Sequence, residues 1–298
     1  HFRVDWSRNL TTSAYELDLT ELRRLASAVP GDKPLRVDHQ EVALGALPRG
    51  AVFAGEPLGT PLPNVHGAYQ VVYADGFGLI DAAFDEAAFE RMNPDGRFSA
   101  EGHAAVQRAL GEARWAVITH EHADHVGGIA RFAEPQRLVG RVHLTMEQLT
   151  NDAALAGVDF PADLRAALRP LEYERLHALA PGVVLIKAPG HTPGTQMIYV
   201  QLESGRELLL LGDVAWHMDQ IRQLWYRPRI VTDLYLGEDR SQVLDQFRTL
   251  HELEKREPGV TLIASHDIEQ RRALVAAGIL GDGFKMPPPE LMDEGIVE

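Results

Sequence analysis

A ten-residue segment at positions 119–128, THEHADHVGG, concentrates side chains that can bind metal ions. Residues two apart on an extended chain point the same way, so His120 and His122 can offer ring nitrogens to one cation. Asp124 and His125 are adjacent and would diverge in a regular strand, so we expect a loop that aims them together, which the two following glycines favour. The spacing predicts two metal positions, one for each pair.

Three later residues stand at the ends of strand-like runs and complete the candidate ligand set. They are His191, Asp213 and His266, which follow VVLIKAP, ELLLLG and VTLIAS. A carboxylate has two oxygens and can bridge two cations, which an imidazole does less readily. The predicted set is His120, His122 and His191 on the first metal, Asp124, His125 and His266 on the second, and Asp213 across both.

The composition limits which side chains can bind a metal and which kinds of partner are expected. The 298 residues include no cysteine, so histidine and carboxylate must hold any metal. Zinc (Zn²⁺) suits such a set best, although iron, manganese or cobalt accept the same ligands. The net charge of −14 argues against nucleic acid as a partner. The longest apolar runs are far shorter than the roughly 18 residues of a membrane span, so we expect none in this chain, and the oligomeric state stays open.

Hydrophobic periodicity places these residues on strands and helices. LDLTELRRLASAV predicts an N-terminal helix with Asp18 and Glu21 in capping-box relation. LRVDHQEV, AVFA, YQVVYAD and FGLIDAAF predict the first strands, and WAVIT predicts the strand before the histidine segment. A helical stretch is expected at about 146–170, and the terminal MPPPELMDEGIVE is expected to fray. One compact domain of two sheet layers with helices outside is the simplest arrangement.

Other catalytic motifs fail on spacing. A zincin helix requires His-Glu-x-x-His, but the residue four after His120 is Asp124. The chain has no G-x-S-x-G elbow and no G-x-x-x-x-G-K-[ST] loop. The sequence therefore favours metal-dependent chemistry over a serine nucleophile or a phosphate-binding loop.

THEHADHVGG is similar to the signature of the metallo-β-lactamase-fold hydrolase superfamily, and PGHTPG, LLGD and ASHD follow in the order of its later motifs. The resemblance covers residues 36–280, which leaves 1–35 as a helical extension and 281–298 as a C-terminal tail. It implies an α/β (α+β) fold, a four-layer αββα sandwich of two mixed β-sheets flanked by helices. It also implies a binuclear metal centre at one edge of the two sheets.

Within that superfamily the motifs resemble those of the acyl-homoserine-lactone lactonases. The true β-lactamases carry cysteine or serine at the bridging position, whereas the lactonases and glyoxalase II keep an aspartate, as Asp213 does here. APGHTPGTQ and SHDIEQ are similar to lactonase segments. Trp216 stands where the lactonases place a tyrosine that reaches the substrate carbonyl, and an indole N–H can donate but cannot ionise. Whether Trp216 replaces that tyrosine is left open.

The resemblance implies a binuclear metal-dependent hydrolase that cleaves a carboxylic ester, with a lactone as the favoured substrate. A hydroxide that bridges the metals would be the nucleophile, and the catalytic Asp124 would orient it and carry its proton. Asp81, in IDAAFD where the superfamily has Asp-Thr-Gly, is expected to support the imidazoles without the usual glycine turn. Thioester hydrolysis of the glyoxalase II type, β-lactamase or phosphotriesterase activity, and an inactive metal-binding relic remain alternatives.

We expect residues 216–235 to line one side of the substrate pocket. The predicted pocket residues are Trp216, His217, Trp225, Tyr226 and, from an earlier loop, His66. The chain starts with His rather than Met, so a removed N-terminal segment would not be visible. We expect a soluble protein of unknown compartment, either cytoplasmic or exported to the periplasm after loss of such a segment.

Overall fold

The computed structural model describes residues 15–285, and two β-sheets form the centre of the molecule. The strands of the first sheet are β1 (Arg36–Pro48), β2 (Pro61–Tyr73), β3 (Gly76–Ile80), β4 (Arg97–Phe98), β5 (Ala116–Val117) and β11 (Gly281–Asp282). They lie in the order β11-β1-β2-β3-β5, and β4 also pairs with β1. The β1–β11 and β3–β5 pairs are parallel and the others antiparallel, so this sheet is mixed.

The second sheet contains the strands that precede three of the candidate ligands. Its strands are β6 (Leu176–Ala180), β7 (Val183–Lys187), β8 (Gln196–Gln201), β9 (Glu207–Leu210) and β10 (Val260–Ile263). They lie in the order β10-β9-β8-β7-β6, with the β9–β10 pair parallel and the others antiparallel. Parallel pairing makes β9 and β10 end at the same edge of the sheet, which brings Asp213 and His266 together.

Helices cover the outer face of each sheet. The helices are α1 (Leu19–Leu25), α2 (Arg49–Val52), α3 (Glu86–Met92), α4 (Ala100–Glu112), α5 (Ala123–Ala130), α6 (Met146–Thr150), α7 (Asp152–Ala156), α8 (Ala162–Ala167), α9 (Met218–Arg222), α10 (Arg240–Arg256) and α11 (Ile268–Ala276). Short 3₁₀ turns lie at Pro135–Leu138 and Gly212–Val214, and a π-helix lies at Ile230–Leu236. Within residues 15–285, no helix combines the length and apolar character of a membrane span.

The side chains of β7 show how the layers are held together. Val183 and Leu185 belong to the apolar cluster between the two sheets, whereas Val184 and Ile186 belong to the cluster beneath α1 and α10. Alternate residues of a strand point to opposite faces, so a strand buried on both sides is apolar throughout. A third cluster packs α4 and α5 on the first sheet. This layering confirms the predicted αββα sandwich.

Some local predictions were wrong. AVFA was expected to be a strand, but Arg49–Val52 is a short helix, and Phe53 packs on Trp225. The expected helical stretch at 146–170 is three short helices, because Asn151 caps a new helix and Pro161 begins another.

The ends of the described chain pack on the two sheets. In α1, Leu19 and Leu22 enter the core beneath the second sheet, and β11 pairs with β1. The domain limits at residues 35 and 280 remain predictions. The tail MPPPELMDEGIVE, residues 286–298, and the first fourteen residues lie outside the described part.

Helix α5 lies in direct contact with the segment that follows β3. Gly128 donates its N–H to Ala83 O (2.9 Å), and Ala82 donates its N–H to His125 O (2.8 Å). A Cβ at Gly128 would lie 2.1 Å from the Ala82 carbonyl oxygen. The paired glycines were expected to form an irregular loop, but they lie within the helix, where their small size allows this close approach.

We predict that Gly128→Ala lowers the free energy of unfolding by about 1–3 kcal/mol, because the backbone of Ala82 must move to admit the methyl group. Urea denaturation followed by circular dichroism measures the change. Gly259→Ala is the control, since a Cβ at that position would meet no atom of the described residues within 4 Å. Equal stability of the two variants would contradict a tight contact between α5 and the segment after β3.

Candidate metal centre

Three histidines form the first candidate ligand group. His120 follows β5, His122 is the N-cap of α5, and His191 lies in the loop after β7. His122 Nδ1 lies 3.0 Å from both His120 Nε2 and His191 Nε2. The three ring nitrogens thus face one point, as three histidine ligands of a single cation must.

The second group combines residues from α5 with the end of β10. The Asp124 carboxylate oxygen Oδ2 lies 3.5 Å from His125 Nε2 and 3.4 Å from His266 Nε2. Asp124 and His125 were expected to need a loop, but they occupy the first turn of α5. The partial positive charge of a helix N-terminus also favours a carboxylate there.

Asp213 lies between the two groups, in the short turn after β9. Its Oδ2 is 3.6 Å from His120 Nε2 and 3.4 Å from His191 Nε2. Its Oδ1 is 3.3 Å from His125 Nε2 and 3.1 Å from His266 Nε2. Each carboxylate oxygen therefore faces one ligand group, which is the arrangement expected of a bridging aspartate. All seven predicted ligands lie together at one edge of the two sheets.

Two buried atoms at this point indicate that the donor set fits divalent cations. Within residues 15–285, His125 Nε2 and Asp213 Oδ1 are buried and have no hydrogen-bond partner, because their short contacts with each other and with His266 lack hydrogen-bond geometry. A buried polar atom without a partner costs about 1–3 kcal/mol. A cation between these atoms would remove that cost, and a set of imidazoles and carboxylates suits Zn²⁺ or a similar ion.

The pKa shifts of three candidate ligands favour the protonation state that binds a cation. Burial lowers the pKa of His120 well below 6.5, and burial with the neighbouring His191 lowers the pKa of His122 to about 4. Burial alone would raise the pKa of Asp213, but the surrounding histidines, His266 first, bring that pKa well below 3.8. Burial would lower the pKa values of His125, His191 and His266, but neighbouring carboxylates outweigh burial and raise them. Neutral imidazoles and an ionised carboxylate are the forms that bind metal, so a cation must displace any proton from these three rings.

Asp81, the residue predicted to support the imidazoles, lies directly behind the second group. Its Oδ2 lies 3.0 Å from His125 Nδ1, and its Oδ1 accepts the Thr119 backbone N–H at 2.6 Å. Asp81 and Ala83 adopt positive φ values of 62° and 55°, so the chain makes a left-handed turn here without glycine. Such a conformation costs an L-residue about 1–2 kcal/mol, which the buried hydrogen bonds of Asp81 offset.

A buried ion pair that sequence reasoning missed supports the first group. Glu238 Oε1 lies 2.6 Å from His191 Nδ1 and accepts a 2.6 Å hydrogen bond from Arg227 Nη2. Tyr226 donates its hydroxyl to Glu238 Oε2 at 2.9 Å. The Arg227 side chain is fully buried and its guanidinium lies 4.6 Å from the centre of the Trp216 ring. A carboxylate on the far nitrogen of a ligating histidine fixes its tautomer and orientation.

Glu121, the other acid of the histidine segment, ties the two ligand loops together. It is fully buried and accepts hydrogen bonds from Thr192 Oγ1 (2.8 Å), Gly194 N (3.3 Å) and Asn151 Nδ2 (2.8 Å). Strand alternation predicts that Glu121 points away from His120 and His122, and this signal could have identified its structural role.

The residues predicted to line the substrate pocket occupy different environments. Trp216 donates its indole N–H to Asp213 Oδ2 at 2.6 Å, and Trp225 donates its own to Ala54 O at 2.9 Å. The His217 side chain is 19% exposed. Tyr226 is fully buried behind His191, so its position favours a supporting role. His66 is buried beside Asp124, with His66 Nδ1 3.1 Å from Asp124 Oδ2.

Comparison with known proteins identifies the family of this chain. A family model described as the metallo-β-lactamase superfamily matches residues 79–266, more than half of the chain. The N-acyl homoserine lactonase AiiA of Bacillus thuringiensis subsp. kurstaki is 26% identical over 160 residues, which span 53% of this chain and 57% of that lactonase. A probable metallo-hydrolase of Mycobacterium tuberculosis, Rv2300c, is 26% identical over 183 residues, 52% of this chain and 55% of that protein. The matches thus span little more than half the length of these relatives.

Solved structures share the fold at low identity. A quorum-quenching N-acyl homoserine lactone lactonase matches with a TM-score of 0.63 and 18% identity, covering 81% of this chain and 95% of that one. AidC, a dizinc quorum-quenching lactonase, matches with a TM-score of 0.53 and 13% identity, covering 80% and 91%.

We predict that Glu238→Gln weakens metal binding about 10- to 100-fold, because the amide no longer supplies the charge that holds His191. Titration of metal-stripped protein with Zn²⁺ in competition with a chromophoric chelator measures the affinity. Glu252→Gln is the control, since Glu252 is half exposed and pairs with exposed basic side chains on α10. Unchanged affinity in Glu238→Gln would contradict a role for Glu238 in orienting His191.

Glu238 also gives the metal-stripped protein a predicted acid sensitivity. Burial raises its pKa, but Arg227 and His191 outweigh burial and lower it from 4.5 to about 2. A lowered folded-state pKa adds stability that is present above pH 4.5 and is lost as the pH falls from there toward 2. In urea denaturation between pH 6 and 3, the free energy of unfolding should decline less steeply with falling pH for Glu238→Gln than for the wild type. The variant is nevertheless less stable at every pH, because Arg227 loses its charged partner. If the free energy of unfolding fell equally with pH in both proteins, Glu238 would not be a source of the acid sensitivity.

Proposed function

The chain belongs to the metallo-β-lactamase superfamily, and from that membership we propose that it is a binuclear metal-dependent hydrolase of carboxylic esters, with a lactone as the favoured substrate. One observation carries the proposal: the two oxygens of Asp213 face two separate groups of ligands. A bridging carboxylate holds two cations close enough to act on one substrate bond.

The seven side chains would hold the two cations, with His120, His122 and His191 at the first position and Asp124, His125 and His266 at the second. When bound, such a pair of cations lowers the pKa of coordinated water toward neutrality and polarises a carbonyl group. Asp124 is the proposed proton carrier, because its carboxylate lies at the second position beside His125 and His266. Zn²⁺ is the favoured metal, which the dizinc description of AidC supports.

An apolar cluster beside the metal centre offers a wall for the acyl part of a substrate. Val52, Phe53 and Trp216 form its buried core, and the partly buried side chains around them are Leu47, Leu62, Trp225, Val231 and Leu236. Trp216 connects this wall to the metal centre through its hydrogen bond to Asp213. The lactonase relatives and a related hydrolase solved with N-hexanoyl-L-homoserine at its catalytic metal centre support a lactone substrate.

In this proposal Trp216 has a different role from the tyrosine that the lactonases place at this position. Its indole N–H is donated to Asp213 Oδ2 at 2.6 Å, so that group is not free to reach a substrate carbonyl. We propose that Trp216 fixes the bridging carboxylate. At this position the chain therefore offers no free side-chain donor that could orient a substrate carbonyl.

Chelation tests the proposed activity. Purified protein is assayed with an aryl ester, a γ-lactone, a thioester, a cephalosporin and a phosphotriester, before and after removal of metal. We expect the γ-lactone and the aryl ester to be the preferred substrates, with turnover lost on chelation and restored by Zn²⁺ or Co²⁺.

Asp213→Ala should lower kcat/KM for the lactone by at least about 1,000-fold, because both metal positions lose an oxygen ligand. His143→Leu, at a half-buried histidine outside the ligand set, is the matched control. Turnover that survives chelation, or a marked preference for the thioester, would contradict the proposal.

A further inference from the structure

Three consecutive residues of β2 lie against two of the three unshared candidate ligands of the second metal position, Asp124 and His266. Val65 accepts a hydrogen bond at its carbonyl oxygen from His266 Nδ1 (2.9 Å), and its N–H donates to His266 O (3.3 Å). Asn64 forms a β-bridge with Asp267, next to His266. The third residue, His66, contacts Asp124. The first metal position receives no such contact from β2 among the described residues.

His66 is held firmly beside Asp124. Only 4% of the residue is exposed, and its ring lies 4.6 Å from the ring of His266 and 4.9 Å from that of Phe84, centre to centre. His66 Nδ1 is 3.1 Å from Asp124 Oδ2, and His66 Nε2 is 3.1 Å from Asn64 Nδ2. Both ring nitrogens therefore have a polar neighbour, and the ring cannot turn without losing both contacts.

These neighbours determine which ring nitrogen of His66 carries the proton. A metal-binding carboxylate only accepts hydrogen bonds, so Nδ1 must be the donor to Asp124. With the Asn64 amide nitrogen facing the ring, Nε2 must be the acceptor, and Asn64 Oδ1 is left buried without a hydrogen-bond partner among the described residues. A neutral ring satisfies both requirements. The reverse orientation of the Asn64 amide would require a proton on each nitrogen, and hence a buried positive charge beside a cation site, which is costly.

We propose that His66 is a positioning residue for the second metal site: Asn64 sets its tautomer, and its Nδ1–H orients the Asp124 carboxylate. This inference rests on the proposed function, because it assumes that Asp124 binds a metal. It replaces the sequence-based expectation that His66 contacts the substrate. The hydrogen bond restrains Asp124 as Glu238 restrains His191, so each metal position has its own buried support.

The experiment compares two substitutions at the same site. His66→Asn retains an N–H donor near the position of Nδ1, whereas His66→Leu retains the bulk of the side chain but has no donor. Metal-stripped wild type, both variants and the control His143→Leu are titrated with Zn²⁺ against a chromophoric chelator, and bound metal is counted by elemental analysis. Circular dichroism and thermal melting report folding of each protein.

We expect His66→Leu to weaken the second equivalent of Zn²⁺ by about 10- to 100-fold while the first equivalent binds normally. His66→Asn should remain within a few-fold of the wild type, and His143→Leu should be unchanged. In lactone turnover, His66→Leu should lower kcat more than it raises KM. The substitution removes the hydrogen bond to Asp124, the proposed proton carrier, and no group that binds the substrate.

Two results would overturn the inference. Normal binding of both equivalents by His66→Leu would exclude a positioning role. Equal weakening by His66→Asn and His66→Leu would show that the imidazole itself is required, as for a direct metal ligand or a packing residue. A wild type that binds two equivalents but does not turn over any ester would instead contradict the proposed function, and the binding comparison would still test His66.

Discussion

The structure depends on one constraint, which is that the Asp213 carboxylate must face two clusters of imidazoles at once. Its neighbours leave little freedom for that side chain. Trp216 donates to Oδ2, Arg227 donates to the Asp213 carbonyl oxygen at 3.1 Å, and both are buried. Gly212 precedes it with φ of 52°, and a Cβ there would lie 2.7 Å from Thr119 Cβ. The bridging residue is thereby packed directly against the histidine segment.

The two sheets and the buried carboxylates behind them position the two groups of candidate ligands. β5 of the first sheet leads to His120, while β7, β9 and β10 of the second sheet lead to His191, Asp213 and His266. Outside these ligands, Glu238 restrains the first position and Asp81 the second. These supports are carboxylates buried by apolar layers, so their hydrogen bonds are protected from water and strengthened by the low local dielectric. The sandwich thus positions the ligands and also excludes solvent from the groups that orient them.

Much of the fold could be predicted from the sequence, and so could the seven side chains that meet at the edge of the sheets, because both leave local signals. The residues of apolar runs such as VVLI point alternately into the two core layers. His120, His191, Asp213 and His266 follow strands, whereas His122, Asp124 and His125 lie at the start of α5. The buried Glu238–Arg227 pair behind His191 was harder to predict. Glu238 and Arg227 are distant from the ligands they serve and have no periodic pattern, so only the fold brings them to His191. AVFA was assigned to a strand on composition, but tertiary packing of Phe53 against Trp225 overrides that local preference.

The central claim is that Asp213 separates two cations, and anomalous diffraction from crystals grown with Zn²⁺ tests it most directly. We predict two anomalous peaks. One should lie between Asp213 Oδ2 and the side chains of His120, His122 and His191, and the other between Asp213 Oδ1 and those of Asp124, His125 and His266. A single peak, or two peaks of which neither contacts Asp213, would contradict it.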